Sequence, residues 1–85
     1  MPRISMFFGI VVAMYFDDHA PPHFHVLYEG EEAVCDLQGN VIIGRLSVRA
    51  GKLLREWAKQ HQKELSDNWR RAKAVQPLEW IPPLQ

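Results

Sequence analysis

A long apolar stretch opens the chain and predicts β-structure. The segment from Ile4 to Phe16 is rich in β-branched and aromatic residues, which are enriched in strands. It predicts one long strand, or two strands that are broken or bulged at Gly9. Its second half is apolar on both faces, so we expect a central strand that is covered on both sides.

A β-hairpin is predicted next, because two segments of alternating polarity flank a Gly-X pair. Residues His23–Glu29 and Glu32–Leu37 would pair around a type II′ turn at Gly30-Glu31. This register places His25 opposite Asp36 on one face of the hairpin. We therefore expect the carboxylate of Asp36 to be the neighbour of the His25 ring.

The same register predicts that Cys35 is a core residue. It places Cys35 opposite Val26 on the other, wholly apolar face of the hairpin. Apolar surroundings raise the pKa of a thiol and make it inert. Cys35 is therefore interpreted as a packing residue rather than a nucleophile.

The spacing of apolar residues changes after a fourth short strand at Val41–Leu46. Ser47 is a predicted helix N-cap, and apolar residues then recur at helical intervals. The polar run Ser66–Asn68 leaves open whether one helix or two lie between Val48 and Val75.

Together these elements predict a single α+β domain over residues 1–85. We expect an antiparallel sheet of about four strands, with a C-terminal helix or two helices packed on one face. Residues 1–46 are mainly β, 47–75 are helical, and 76–85 form an extended, proline-rich tail that is apolar enough to pack on the domain or on a partner. The sheet face away from the helices is the predicted surface for a partner protein or a homo-oligomer.

Composition narrows the class of protein. The longest apolar stretch is shorter than the roughly 20 residues of a membrane helix, and it lacks the features of a signal peptide. The single cysteine cannot form an internal disulfide. We therefore expect a cytoplasmic protein that does not enter a membrane.

The net charge of zero is the sum of an acidic first half and a basic second half of the chain. Up to Gly44 there are one basic and six acidic residues, a net charge of −5, and the remainder has nine basic and four acidic residues, a net charge of +5. The basic half can neutralise the acidic sheet or simply face water, or it can bind nucleic acid or an acidic partner. The candidate RNA-binding residues lie on the predicted helical segment: Arg55, Lys59, Lys63 and Arg70.

The polar segment Asp17-Asp18-His19-Ala20-Pro21-Pro22-His23-Phe24-His25 holds three of the four histidines. His23 and His25 project to the same face of a strand, and His19 lies across a stiff proline turn. Three imidazoles can bind zinc with one open coordination position. The sequence thus predicts His19, His23 and His25 as candidate metal ligands, with zinc as the candidate ion and an aspartate at 17, 18 or 36 orienting a ring.

Two other interpretations use the same histidines. In the catalytic one, His25 is a general base or acid oriented by Asp36, with His23 or His19 as its partner. In the structural one, the rings hydrogen-bond at the rim of the sheet or shape an interface. The sequence alone does not choose among them.

Motifs along nearly the whole chain resemble the small bacterial domain-of-unknown-function family 4160. The specific part is Asp18-His19-Ala20-Pro21-Pro22-His23-Phe24-His25. The accompanying segments are Pro2-Arg3-Ile4-Ser5, Phe8-Gly9-Ile10, Met14-Tyr15-Phe16, Glu56-Trp57-Ala58, His61, Glu64-Leu65 and Asn68-Trp69.

The resemblance implies no established activity. It does imply a gene that often lies beside another short reading frame, in an arrangement similar to a toxin–antitoxin pair. The leading hypothesis from the sequence is therefore a component of such a two-gene module, which acts through a partner protein and RNA and has the histidine segment as its site. The alternatives are a non-catalytic metal-binding module and a pure interaction domain.

Overall fold

The structure, a computed structural model, describes residues 2–85 and contains a five-stranded antiparallel sheet followed by two helices. The strands follow one another across the sheet in chain order. Their bounds are β1 Arg3–Phe7, β2 Ile10–Ala13, β3 His23–Tyr28, β4 Glu31–Asp36 and β5 Val41–Gly44, and the helices are α1 Val48–Gln60 and α2 Gln62–Lys73. The predicted α+β class with an antiparallel sheet is confirmed.

The fifth strand arises because the first apolar segment forms two strands. Phe8 and Gly9 both have positive φ angles, 50° and 79°, and the chain reverses there. Residues Met6 and Val11 then face each other across the β1–β2 hairpin. Of the two alternatives, the break at Gly9 is therefore the one the structure shows.

The β3–β4 hairpin has a different register from the predicted one. Its turn consists of Glu29 and Gly30, whose φ angles of 48° and 77° match the two positive values of a type I′ turn. The pairing shifts by two residues, so His25 lies opposite Val34 and Asp36 lies opposite His23. The predicted pairing of His25 with Asp36 is wrong, although a shift of two leaves every side chain on its predicted face.

The helices cover the sheet face that carries Phe24, Val26 and Cys35, which are all 0% exposed. Leu54 and Trp57 of α1 belong to the same buried cluster. Burial, with a contribution from the charge of Asp36, raises the pKa of the Cys35 thiol to about 12. The interpretation of Cys35 as a core residue is confirmed.

Two helices occupy the C-terminal half. The Ser47 hydroxyl accepts a hydrogen bond from the Ala50 backbone at 3.2 Å, so the predicted N-cap is present. The break between the helices lies at His61, whose φ of −125° is not helical. Among residues 2–85, no helix is long and apolar enough to cross a membrane.

The C-terminal tail is extended and held against the sheet and helices. The Ile81 backbone donates a hydrogen bond to Ile4 at 2.7 Å, and the Ser5 hydroxyl donates one back to the Ile81 carbonyl at 2.9 Å. Asn68 bonds both backbone polar groups of Glu79. Of the two alternatives for the apolar tail, packing on the domain is therefore the one the structure shows.

Candidate functional site

The most polar cluster forms where the loop between β2 and β3 meets the C-terminal end of α2. The Asp17 backbone donates a hydrogen bond to the Ala72 carbonyl at 2.9 Å. The Lys73 ammonium donates to the Asp18 carbonyl at 2.6 Å. These two contacts hold the loop so that the Asp18 side chain turns towards the first residues of β3.

Two histidines of β3 meet the Asp18 carboxylate. Nε2 of His23 lies 2.7 Å from Oδ2 of Asp18, and Nε2 of His25 lies 3.3 Å from the same oxygen. The two imidazole centroids are 5.3 Å apart. The alternation of β3 therefore brings His23 and His25 to one face, as predicted, and the loop adds a carboxylate between them.

Aromatic side chains hold the two rings. His23 lies against Trp69 of α2 with centroids 5.2 Å apart, and its side chain is only 8% exposed. His25 meets Tyr15 edge to face at 4.4 Å and is 22% exposed. Rings packed in this way lose little further entropy when they bind a ligand.

The backbone determines which nitrogen of His23 carries a proton. Nδ1 of His23 lies 2.7 Å from the carbonyl oxygen of Pro21. A carbonyl oxygen only accepts hydrogen bonds, so Nδ1 is the donor in this contact. Nε2 therefore donates to the Asp18 carboxylate only when the ring is protonated, and in the neutral ring it presents a lone pair to that carboxylate.

Asp18 is an anion throughout the neutral pH range. Burial by itself raises the pKa of this carboxyl, but hydrogen bonds from His25 and His23, a backbone hydrogen bond from His19 and attraction to His23 outweigh burial. Together they lower the pKa to about 2. The cluster thus has a permanent negative charge facing two imidazole nitrogens.

A shallow apolar groove of about 230 Å³ gives access to the cluster. Besides the cluster residues and His19, its walls are Pro21, Val34, Ile42 and Ile43. Small-molecule sites are usually lined mainly by apolar side chains, with a few polar groups that orient the ligand. A ligand bound at Asp18 would be reachable from this groove.

Two predicted site residues lie outside the cluster. The His19 side chain is 92% exposed, with Nδ1 3.3 Å from the second carboxylate oxygen, Oδ1, of Asp18. Asp36 uses its carboxylate in the turn after β4, where Oδ1 accepts backbone hydrogen bonds from Gln38 at 3.0 Å and Asn40 at 2.9 Å. The expectation that Asp36 orients His25 is therefore wrong, because its oxygens stabilise that turn instead.

The group that completes the cluster is Asp18, which the sequence suggested only as one of three aspartates able to orient a ring. Within residues 2–85, one group of side chains could hold a metal ion. It consists of Asp18, His23 and His25, and its ligand atoms all lie within 4.8 Å of one another. The roles of Trp69 and of the Pro21 carbonyl left no signal in the sequence, since both depend on tertiary contacts.

Comparison with known proteins identifies a family without an activity. The family model described as Domain of unknown function (DUF4160) matches residues 9–70, well over half of the chain. No curated protein and no solved structure matches the chain. The geometry of the cluster is therefore the main guide to function.

Proposed function

The chain belongs to the DUF4160 family, and from the geometry of its polar cluster we propose that it binds a divalent transition-metal ion through Asp18, His23 and His25. These three side chains offer one carboxylate oxygen and two imidazole nitrogens within 4.8 Å of one another. Such a set is typical of metal sites that keep coordination positions open for a further ligand.

The main support for this proposal is the orientation of the His23 ring. Its Nδ1–H donates to the Pro21 carbonyl, so in the neutral ring the Nε2 lone pair faces an anionic oxygen 2.7 Å away. Two electron-pair donors at this distance need a proton on Nε2 between them, and a zinc ion would replace that proton once the two atoms moved to about 3.3 Å apart, the spacing of two tetrahedral ligands at about 2.0 Å from the ion. A backbone carbonyl that receives the other N–H of a ligating histidine is the usual arrangement around a bound metal.

Zinc is the candidate ion that we propose for this donor set. Imidazole and carboxylate ligands together suit Zn²⁺ and also Cu²⁺, Ni²⁺ and Fe²⁺, whereas Mg²⁺ and Ca²⁺ prefer oxygen ligands alone. Three protein ligands leave a fourth tetrahedral position, which would face the groove beside Ile43. We therefore propose a zinc site that is accessible to a small ligand.

Metal titration of the untagged protein tests this function. After treatment with a chelator, the protein should bind about one Zn²⁺ per chain in isothermal titration calorimetry. At a hundredfold excess over the dissociation constant, binding should stabilise the fold by about 2.7 kcal/mol and raise Tm by about 11 to 22 °C. Less than about a tenth of an equivalent of zinc, nickel or copper, with no change in Tm, would reject the metal site.

A second candidate function, recognition of a partner protein, rests on the sheet face opposite the helices. Met6, Val11 and Leu27 are cross-strand neighbours there, and Val34 and Ile43 form the next row. Met6 is 45% exposed and Ile43 is 66% exposed. Because exposed apolar patches mark interaction sites, we propose this face as the contact with the product of the adjacent gene in a toxin–antitoxin-like module.

Co-purification with the product of the adjacent reading frame tests the second candidate. Ile43→Glu should weaken binding by more than about tenfold, because it places a charge in an apolar contact. Val48→Glu is the matched control, since Val48 is 88% exposed and belongs to α1 rather than to the sheet. Equal binding by both variants, or binding only between copies of this chain, would contradict the assignment.

A further inference from the structure

The basic residues of the two helices differ in whether an acidic group neutralises them. In α2, Lys63 and Arg70 both pair with Asp67. Arg71 lies 3.6 Å from Glu79, and Lys73 lies 3.9 Å from Asp17. Each basic residue of α2 thus has an acidic partner within the protein.

The basic residues of α1 and the segment before it have no such partners. Within residues 2–85, the observed ion pairs involve none of them. All of them are exposed, and the only acidic residue on α1 is Glu56. The unpaired basic residues are Arg45, Arg49, Lys52, Arg55 and Lys59.

Three of these cations lie on one side of α1. At 3.6 residues per turn, Lys52, Arg55 and Lys59 fall within about one sixth of the helix circumference. At 1.5 Å per residue they extend over about 10 Å along the axis. We call these three residues the α1 basic stripe, and its side chains are exposed, whereas Leu54 and Trp57 occupy the buried side of the helix.

A groove of about 420 Å³ lies beside this stripe. Its walls are Gln38, Asn40, Arg55, Lys59 and Gln62, so they combine two cations with three amides and contain no carboxylate. The Arg55 guanidinium and the Lys59 ammonium can donate several hydrogen bonds to one phosphate, whereas the Gln62 amide already donates to the Leu37 and Ala58 carbonyls. The composition of the groove therefore fits an anion with several acceptor oxygens.

The turn after β4 is held against α1, which keeps the walls of the groove in place. A Cβ at Gly39 would lie 2.9 Å from the Arg55 Cα, and its φ of 88° also favours glycine. The Gln62 amide donates to the Leu37 carbonyl at 2.6 Å and so ties the turn to α2. The backbone of the turn that forms one wall of the groove is thus held in place against both helices.

Two other grooves follow this one in succession, each sharing a lining residue with the next, and the last of them is the groove at Asp18. The groove beside the stripe shares Gln38 with a second groove, which is lined by Pro21, Pro22, Asp36 and Leu37 as well. That second groove shares Pro21 with the groove at Asp18.

We propose that the α1 basic stripe and its groove bind the phosphodiester backbone of a nucleic acid. A phosphate polymer presents repeated anionic groups, which suits three cations in a row better than a single small anion does. The Arg55 guanidinium can donate two parallel hydrogen bonds to one phosphate, and the regular recurrence of phosphates along a nucleic acid distinguishes it from the irregularly spaced carboxylates of an acidic protein. Of the helical residues predicted from the sequence for this role, Arg55 and Lys59 are retained, whereas Lys63 and Arg70 are bound to Asp67. This proposal holds whether or not the cluster binds metal.

Fluorescence anisotropy with labelled oligonucleotides of about 20 nucleotides tests the proposal. The full chain is measured with EDTA present, between 50 and 200 mM salt, so that a failure of the metal site cannot affect the result. Arg55→Gln with Lys59→Gln should weaken binding about tenfold near 150 mM salt and reduce the slope of log K against log salt by about 1.4, because each phosphate contact contributes about 0.7 for single strands.

The matched control is Lys63→Gln with Arg70→Gln, which removes the same charge from paired residues and should change binding by less than about twofold. RNA and DNA probes of the same sequence are run in parallel. Equal binding to both supports contacts with phosphate alone, and tighter binding to RNA supports additional contacts with the 2′-hydroxyl. The proposal is overturned by equal losses in the two double variants, by poly-glutamate competing as well as the oligonucleotide, or by no binding at 50 mM salt.

Discussion

Asp18→Asn should reduce zinc affinity at least about a hundredfold while leaving the fold intact. The substitution keeps the shape of the side chain but removes the anionic oxygen that lies 2.7 Å from His23 Nε2 and 3.3 Å from His25 Nε2. Loss of a group that only orients a ligand costs 10- to 100-fold in metal affinity, so loss of the ligand itself should reach or exceed that range. Competition with a chromophoric chelator measures the dissociation constant.

The control variant for this experiment comes from the same loop. His19→Ala removes an imidazole whose side chain is 92% exposed and which lies outside the cluster. Its zinc affinity should stay within about twofold of the wild type, whereas His23→Ala should behave like Asp18→Asn. If His19→Ala weakens binding as much as Asp18→Asn, the ion is bound by a different set of ligands from the one proposed.

Trp57→Ala should destabilise the domain by about 3 to 5 kcal/mol, the cost typical of removing a large buried aromatic side chain. Trp57 is 0% exposed, and its ring lies 5.2 Å from Phe7 and 5.9 Å from Phe24 between centroids. Its indole nitrogen also donates to the Pro82 carbonyl at 2.9 Å, which holds the tail. Urea denaturation followed by circular dichroism measures the loss.

Two further variants keep this prediction testable if Trp57→Ala does not fold. Trp57→Phe keeps an aromatic ring but removes the hydrogen bond to Pro82, and it should cost about 1 to 2 kcal/mol. Trp80→Ala makes the same change as Trp57→Ala at a side chain that is 55% exposed, and it should cost less than about 1 kcal/mol. Similar losses for Trp57→Ala and Trp80→Ala would show that the core is not centred on Trp57.

The strand faces were predictable from the sequence because side chains alternate with a period of exactly two. The predicted hairpin register differs from the observed one by two residues, yet His23 and His25 still share a face and Cys35 still lies in the core. An error of one residue would have reversed every assignment. The even shift therefore changed only the cross-strand neighbours and with them the role of Asp36.

The register itself was not predictable because Gly30 suits either position of a two-residue turn. It can begin a type II′ turn with Glu31 or end a type I′ turn with Glu29. The contact of β4 with β5 is a further constraint on this region, since a Cβ at Gly44 would collide with the Glu32 carbonyl oxygen. Such a close approach between strands depends on the assembled sheet and has no local signal.

The sequence by itself determined the class of fold, the buried face of each strand, the Ser47 cap and the segment that contains the site. These properties depend on local periodicity and on residue type, which act over a few positions. Only the tertiary structure decided that Asp18 rather than His19 or Asp36 joins His23 and His25. The reason is that α2 anchors the loop through Ala72 and Lys73, more than fifty residues further along the chain.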